Sequence, residues 1–319
     1  MNDTKRTHHT PRLAAEQGLR LLRELLSSLM PEPGDYPTPI PGLTLYRRHQ
    51  EDAEHQPVIY APELIIIAQG EKHVRLGAES FAFGGGSAFV TAVDIPTACA
   101  LRRVSPDHPF LSLVVTLDRA LLAELVAAGV PSSAPREAPE TTVPRRTRRG
   151  IMVADLDGDL LDAALRLTEL VEQPEAAPTL APLFFREIHF RLLTGPFGPI
   201  LRALNAAGSP GDRMARTIRL LREDFDKPLS VADLAQQAGM SASTFHKHFK
   251  RITGMSPLRF QKRLRLEYAQ RLMLGREMNA SEAAQAVGYE SLQHVSREYK
   301  RLFGEPPRRD IMRRKRSGE

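Results

Sequence analysis

The sequence predicts an α+β protein. A β-rich barrel or jelly roll with flanking helices comes first, followed by an all-α region built on two helix-turn-helix units. Eight short runs rich in branched residues, parted by Gly, Pro and charged turns, crowd residues 43–117. From residue 209 onward the apolar spacing becomes helical. Within that region, residues 229–254 and 279–304 say nearly the same thing twice.

Residues 1–12 are polar and predict a loose start. Residues 13–30 place Leu19, Leu22, Leu25, Leu26 and Leu29 at helical spacing, and PEPGDYPTPIPG then ends that helix. Arg20, Arg23 and Glu24 interrupt its apolar residues, so it makes a poor secretory core. The strand-like runs are LTLYRRH, PVIYA, ELIIIAQG, KHVRLG, SFAFG, SAFVTAV, ACALRRV and FLSLVVTL. Gly84, Gly85 and Gly86 fall between two of them and read as a turn, since no Walker lysine and no helix follow. Helices are expected over residues 121–130, 156–172, 180–193 and 200–207, with a Pro-, Ser- and Arg-rich surface loop at 131–149.

Asp212 then caps a helix carrying Met214, Ile218, Leu221 and Phe225. In the doubled stretch Ser230 matches Asn279, Asp233 matches Glu282, Gly239 matches Gly288 and Met240 matches Tyr289. One extra residue enters the second copy. Phe245 then matches Val295, Lys247 Arg297, Phe249 Tyr299, Lys250 Lys300 and Gly254 Gly304. Each copy has a capping-box spacing, a short alanine-rich helix, a glycine turn and a second helix with apolar residues at i and i+4. Between the copies, Ser256 and Pro257 open a helix reaching about Leu274. It bears two apolar stripes, Phe260, Leu264, Tyr268 and Leu272 on one side, Leu266, Ala269 and Met273 on the other, as expected of a link between two subdomains. The last residues, RRDIMRRKRSGE, read as a loose basic end.

A length of 319 residues suits two domains, taken as 1–208 and 209–319. The single cysteine excludes an intrachain disulfide framework and a cysteine-cluster zinc site, and points to a reducing, cytoplasmic setting. No run reaches the length of a membrane span. Residues 209–319 hold 23 Lys+Arg against 13 Asp+Glu, whereas the other 208 residues hold 21 against 25. That split aims only the C-terminal part at a polyanion.

The dense text PLSVADLAQQAGMSASTFHKHFKRITGMSPLRFQKRLRLEYAQRLM, with AAQAVGYES and REYKRLFGEPPRRD after it, resembles the AraC/XylS family of bacterial transcription regulators. GEKHVRLG, TAVDIPTACALRRVSPDHPFLSLVVTLD and FREIHFRLLTGPFGPILR resemble one subgroup of it. The resemblance implies seven C-terminal helices with two helix-turn-helix units joined by one long helix. It also implies a cupin-like N-terminal domain for effector binding and dimerisation. The partners it implies are double-stranded promoter or operator DNA near the nucleoid, RNA polymerase, a small-molecule effector and a second copy of the chain. It implies no cofactor and no membrane partner. Where the family has text close to Pro-Ser-Gln-Phe, this chain has Leu292, Gln293, His294 and Val295, so base preference does not transfer there.

By position, Ser243, His246 and Lys247 face base edges in the first unit, and Gln293, His294, Ser296 and Arg297 in the second. Arg297 suits guanine and Gln293 adenine, while Lys250, Arg251, Lys300 and Arg301 suit phosphates. The barrel interior is the default effector pocket. Cys99 is either an electrophile sensor or a small buried apolar group. Two other readings compete: a ligand-independent DNA-binding protein whose barrel only dimerises, and a cupin-type metal enzyme. His49, His55, His73 and His108, with Glu51, Glu54 and Glu79, lack the tight H-x-H pair that such a metal site shows. No Gly-x-Ser-x-Gly or Ser-His-Asp context appears, so no catalytic residue is assigned.

Overall fold

Strands that alternate apolar and polar residues must close against a second layer. Here ten do so as two antiparallel sheets, in a computed structural model that describes residues 10–53, 55–76, 79–131, 150–275 and 278–317. Six form one sheet in the order β1 (Gly34–Pro37), β2 (Leu43–Arg48), β9 (Phe110–Thr116), β4 (Glu63–Gln69), β7 (Ser87–Thr91), β10 (Ile151–Asp155). Four form the other, in the order β3 (Gln56–Tyr60), β8 (Ile95–Arg102), β5 (Glu71–Leu76), β6 (Glu79–Gly84). The eight expected runs all become strands. The sequence reading missed β1, because its Pro-rich text read only as a break, and β10, a short run beside the Arg-rich segment. Both are edge strands, where Pro37 need not donate to a ladder. Glu54, residues 132–149 of the expected surface loop and the first nine residues lie outside the described residues.

Between the sheets Phe83 stacks on Phe89 at 4.9 Å and Tyr60 meets Phe89 edge-on at 5.3 Å, so the middle of the sandwich is filled with aromatic rings. The outer face of the larger sheet carries Leu43, Leu45, Leu64, Ile66, Leu113 and Val115 in register. Helices α1 (Thr10–Leu29) and α3 (Gly158–Glu169) pack together over it, burying Leu22, Leu26, Leu161 and Leu167. Three more helices flank the sandwich: α2 (Arg119–Ala127), between β9 and β10 and capped by Asp118, then α4 (Ala177–Thr194) and α5 (Gly198–Asn205).

Helix α6 (Pro210–Glu223) starts at Ser209, not at Asp212 as expected. The Ser209 hydroxyl accepts from the Asp212 amide at 3.0 Å, and Pro210 supplies the preset first turn. The Asp212 carboxylate instead pairs with Arg119 at 3.3 Å and Arg216 at 3.0 Å. Six helices complete the chain: α7 (Val231–Gln237), α8 (Ala242–Thr253), α9 (Pro257–Gly275), α10 (Ala280–Ala286), α11 (Leu292–Phe303) and α12 (Pro307–Ser317). The last corrects the expectation of a loose end. Its acid Asp310 is fully buried and accepts from Gln270 at 2.7 Å, from Tyr299 at 2.7 Å, and from Arg313 and Arg314 at 3.0 Å each. No described helix is long and apolar enough to cross a membrane.

The turns of both units need glycine, at φ +63° for Gly239 and +80° for Gly288. A Cβ on Gly239 would face the Arg213 Nε at 3.2 Å, whereas one on Gly288 would lie 2.0 Å from the Asp226 carbonyl oxygen. Gly239→Ala should therefore cost about 1–2 kcal/mol from left-handed backbone strain. Gly288→Ala should cost more, because backbone must also move. Urea denaturation of both variants measures the difference, and equal losses would contradict the close approach.

Candidate nucleic-acid interface

The second helix of each unit is held by its inward residues. In α8, Ser241 caps the start by accepting from the Thr244 amide, and Gly254 in the left-handed region ends it. Phe245 and Phe249 are fully buried, and Phe249 meets Phe260 of α9 edge-on at 5.3 Å. In α11, Ser291 caps and Gly304 ends; Val295 and Tyr299 are the buried pair. The extra residue of the second copy is thus taken up in the turn, leaving both helices the same length.

The opposite faces are open. Ser243, His246, Lys247, Lys250 and Arg251 are exposed on α8. On α11 Gln293, His294, Arg297, Lys300 and Arg301 are exposed, while Ser296 is half-buried on the flank. Helical spacing puts Ser243, Lys247 and Lys250 in one stripe and Gln293, Arg297 and Lys300 in the matching one. Among the described residues none of Lys247, Lys250, Arg297, Lys300 and Arg301 is ion-paired to an acid. Arg251 shares a 3.3 Å contact with the His248 imidazole. His294 differs from its neighbours, since its Nε2 lies 3.2 Å from the Glu298 carboxylate and its ring stands edge-on to Tyr289.

Helix α9 joins the two units through two separate cores. Phe260 and Leu264 belong to a continuous apolar cluster that includes Phe245, Phe249 and Met214. Leu266, Ala269 and Met273 belong to a second, with Val287, Val295 and Tyr299. Leu272, expected on the first stripe, packs with the second cluster. Sequence reasoning missed Arg265, which donates to the carbonyls of Phe225, Asp226, Lys227 and Gly288 and lies over the Tyr289 ring. An arginine on a basic helix carries no signal of that role.

The sandwich touches this helical assembly at several polar points. Arg222 of α6 donates to the buried Asp94 carboxylate, Arg263 of α9 to the Thr97 carbonyl, and Arg314 of α12 to the Gln56 side chain. The Gly150 amide donates to the Ile252 carbonyl at 3.0 Å. Beside the Arg222–Asp94 pair lies a cleft of about 730 Å³ lined by Pro62, Leu117, Arg119, Arg219, Phe225 and Tyr268 among others. Burial pushes the nearby Glu63 carboxyl up to about 7, against the opposing pull of Lys72 and Arg222. Burial likewise raises Asp94, although Arg222 opposes it.

A larger groove of about 1160 Å³ runs between α2, α4 and residues 39–42, with Leu121, Leu183 and Phe185 along it. At its floor His189 is buried and bonded on both nitrogens, to the Asp118 amide at 2.9 Å and the Phe185 carbonyl at 2.6 Å. Burial lowers its pKa, so it stays neutral. Both spaces lie outside the sandwich interior that the sequence reading named as the default pocket. Inside, Cys99 is half-buried beside the buried Tyr60, whose hydroxyl is pushed well above its ordinary pKa by burial and by Cys99. Two of the barrel histidines are separately engaged, His49 with Arg47 and His73 with Glu71. Among the described residues no group of three or more His, Cys, Asp or Glu is placed to hold a metal.

Residues 39–200 match the model of the AraC-type transcriptional regulator N-terminus, and residues 234–313 match a helix-turn-helix domain. This chain belongs to the AraC-type transcriptional regulators. Over 103 residues it is 39% identical to a putative AraC-like transcription regulator of Streptomyces lividans, covering 32% of this chain and 33% of that protein. Over 136 residues it is 27% identical to the regulator ExsA of Pseudomonas aeruginosa, covering 42% of this chain and 48% of ExsA. This AraC-type chain thus spans a third to a half of the length of those two relatives. Its fold is similar to that of ToxT from Vibrio cholerae, crystallised with an unsaturated fatty acid. That match has a TM-score of 0.52 at 15% identity, over 84% of this chain and 94% of ToxT.

Proposed function

We propose that the chain is a sequence-specific DNA-binding transcription regulator, with residues 209–319 reading two successive major grooves of one promoter or operator site. The observation that carries this reading is the doubled unit. Two such helices, on one connecting helix, each hide an apolar face and leave outside a stripe whose cations have no acidic partner among the described residues. Cations without acidic partners at helix surfaces suit phosphate oxygens and guanine edges. On that reading Lys247, Gln293 and Arg297 reach bases, with Ser243 and His246 beside Lys247. Lys250, Arg251, Lys300 and Arg301, nearer the helix ends, grip the backbone.

The regulator answers to a small effector, and the cleft beside Arg222 suits an acid with an apolar body. Arg119, paired with Asp212, and Arg219, 3.8 Å from Glu223, line it with Arg222, and the stacked Phe225–Tyr268 pair, 4.3 Å apart, supplies an apolar wall. The fatty acid carried by ToxT has that chemistry. A carboxylate there competes with Asp94 for Arg222, so it binds the joined and separated arrangements of sandwich and helices differently, as any effective ligand must. The groove along α2 and α4, with Leu183 exposed, suits contact with a second copy.

Arg297→Ala should cost about 1–3 kcal/mol of DNA affinity and relax preference at one position, while Lys300→Ala should weaken all sequences alike. Competition binding on duplexes selected from a random pool measures both, and a uniform loss for Arg297→Ala would contradict base reading. Dodecanoate, but not dodecanol, should change the affinity of the full chain for such duplexes, and Arg222→Met should remove that response. An equal response to the alcohol would contradict an acid-binding cleft.

A further inference from the structure

The two recognition helices are fastened to α9 by different physics. The first uses aromatic packing, with Phe249 against Phe260. In the second, Val295 stands where the first has Phe245, and a smaller side chain grips less area. A polar hub stands beside it. One carboxylate oxygen of Glu298 lies 2.6 Å from the Lys262 ammonium of α9 and 3.2 Å from the His294 Nε2. The other accepts from the Tyr289 hydroxyl of the turn at 2.7 Å. Three elements therefore meet on one side chain: the turn, the recognition helix and the connecting helix. The equivalent position in the first copy is His248, which forms no such hub.

Helix geometry assigns the hub its place. Glu298 is one turn beyond His294, on the flank facing α9, whereas Gln293, Arg297 and Lys300 form the outward stripe. The Glu298 side chain is mostly buried, at 20% exposure, so its bond to Lys262 is poorly screened by solvent. Burial alone would push the carboxyl up; the bonds from Lys262 and Tyr289, with the His294 charge, hold it below its ordinary value. Burial and Glu298 together push the Tyr289 hydroxyl well above its ordinary value. The Glu298 carboxylate is thus ionised at neutral pH and held by both of its oxygens.

We propose that Glu298 is a positioning residue that sets the angle of the second recognition helix on α9 through Lys262 and Tyr289, and that draws His294 out of base reading. Base choice at the second half-site then falls to Gln293 and Arg297, and the Lys262–Glu298 bond narrows the range of half-site spacings about the interval that α9 sets. This rests on the reading of α8 and α11 as paired DNA readers. Two units held at a fixed angle bind as one rigid body, so loosening one costs affinity for paired half-sites without touching the other unit.

The test uses the full chain and 30-bp duplexes that it selects from a random pool, together with duplexes whose half-site spacing is changed by one base pair. Lys262→Met and Glu298→Ala should each weaken binding to the selected duplex about tenfold, and the double variant no more than either alone. Both should tolerate altered spacing better than the parent chain. Glu298→Gln, which keeps the bond from Tyr289, should fold with an unchanged circular dichroism spectrum and show the same broadened spacing to a smaller degree. His294→Ala should leave the selected sequence of the second half-site unchanged. Additive losses for the Lys262 and Glu298 variants, unaltered spacing preference in Glu298→Gln, or a new base preference in His294→Ala would each overturn the proposal. If the unsubstituted chain selects no duplex, it is the DNA-binding reading itself that fails.

Discussion

Everything in the C-terminal half depends on α9 being apolar on two sides. An amphipathic helix satisfied by one core leaves its far side to water; a helix with two apolar stripes must be covered twice. Phe260 and Leu264 are covered by α6 and α8, and Leu266, Ala269 and Met273 by α10 and α11. The offset between the stripes therefore fixes where the second unit stands with respect to the first. Arg265 reinforces it by tying the α6–α7 connection to the turn at Gly288. Asp310 closes the second unit by bonding α9, α11 and α12 at one buried carboxylate.

The helical assembly reaches the sandwich with arginines, beside an apolar cluster that the two share. Arg222, Arg263 and Arg314 each reach an acceptor on the sandwich, and two of those acceptors are neutral. Such contacts are separable: water can replace a carbonyl partner of an arginine at modest cost, whereas an apolar face cannot be exposed so cheaply. The exception is Asp94, which is buried and would be left without its counter-charge if Arg222 withdrew. That makes the Asp94–Arg222 pair the contact most sensitive to an added anion.

Much of this was legible in the residues. The doubled text located both helix pairs, and the capping residues Ser230 and Asn279 start α7 and α10 as spacing implied. The eight branched runs all became strands, since alternation is a local signal. What local signals cannot carry is a long-range partner. Strand β10 exists because β7 offers it an edge, and α12 is anchored because Asp310 finds Tyr299 and Gln270. By composition alone RRDIMRRKRSGE is a solvated tail. The outward stripe at Gln293, Arg297 and Lys300 follows from periodicity, as does the i,i+4 pair of His294 and Glu298, but the bond of Glu298 to Lys262, thirty-six residues upstream, does not. Likewise the sequence reading named Asp212 alone as the cap, and the tertiary demand of Arg119 on Asp212 accompanies capping by Ser209.

The central claim is that one chain presents two readers at a fixed interval set by α9. Hydroxyl-radical footprinting of the full chain on a selected duplex tests it most directly. Two protected patches on one face of the DNA, with centres about 10 base pairs apart, are the predicted result. A single patch, or two patches whose separation varies from one selected duplex to the next, would contradict it.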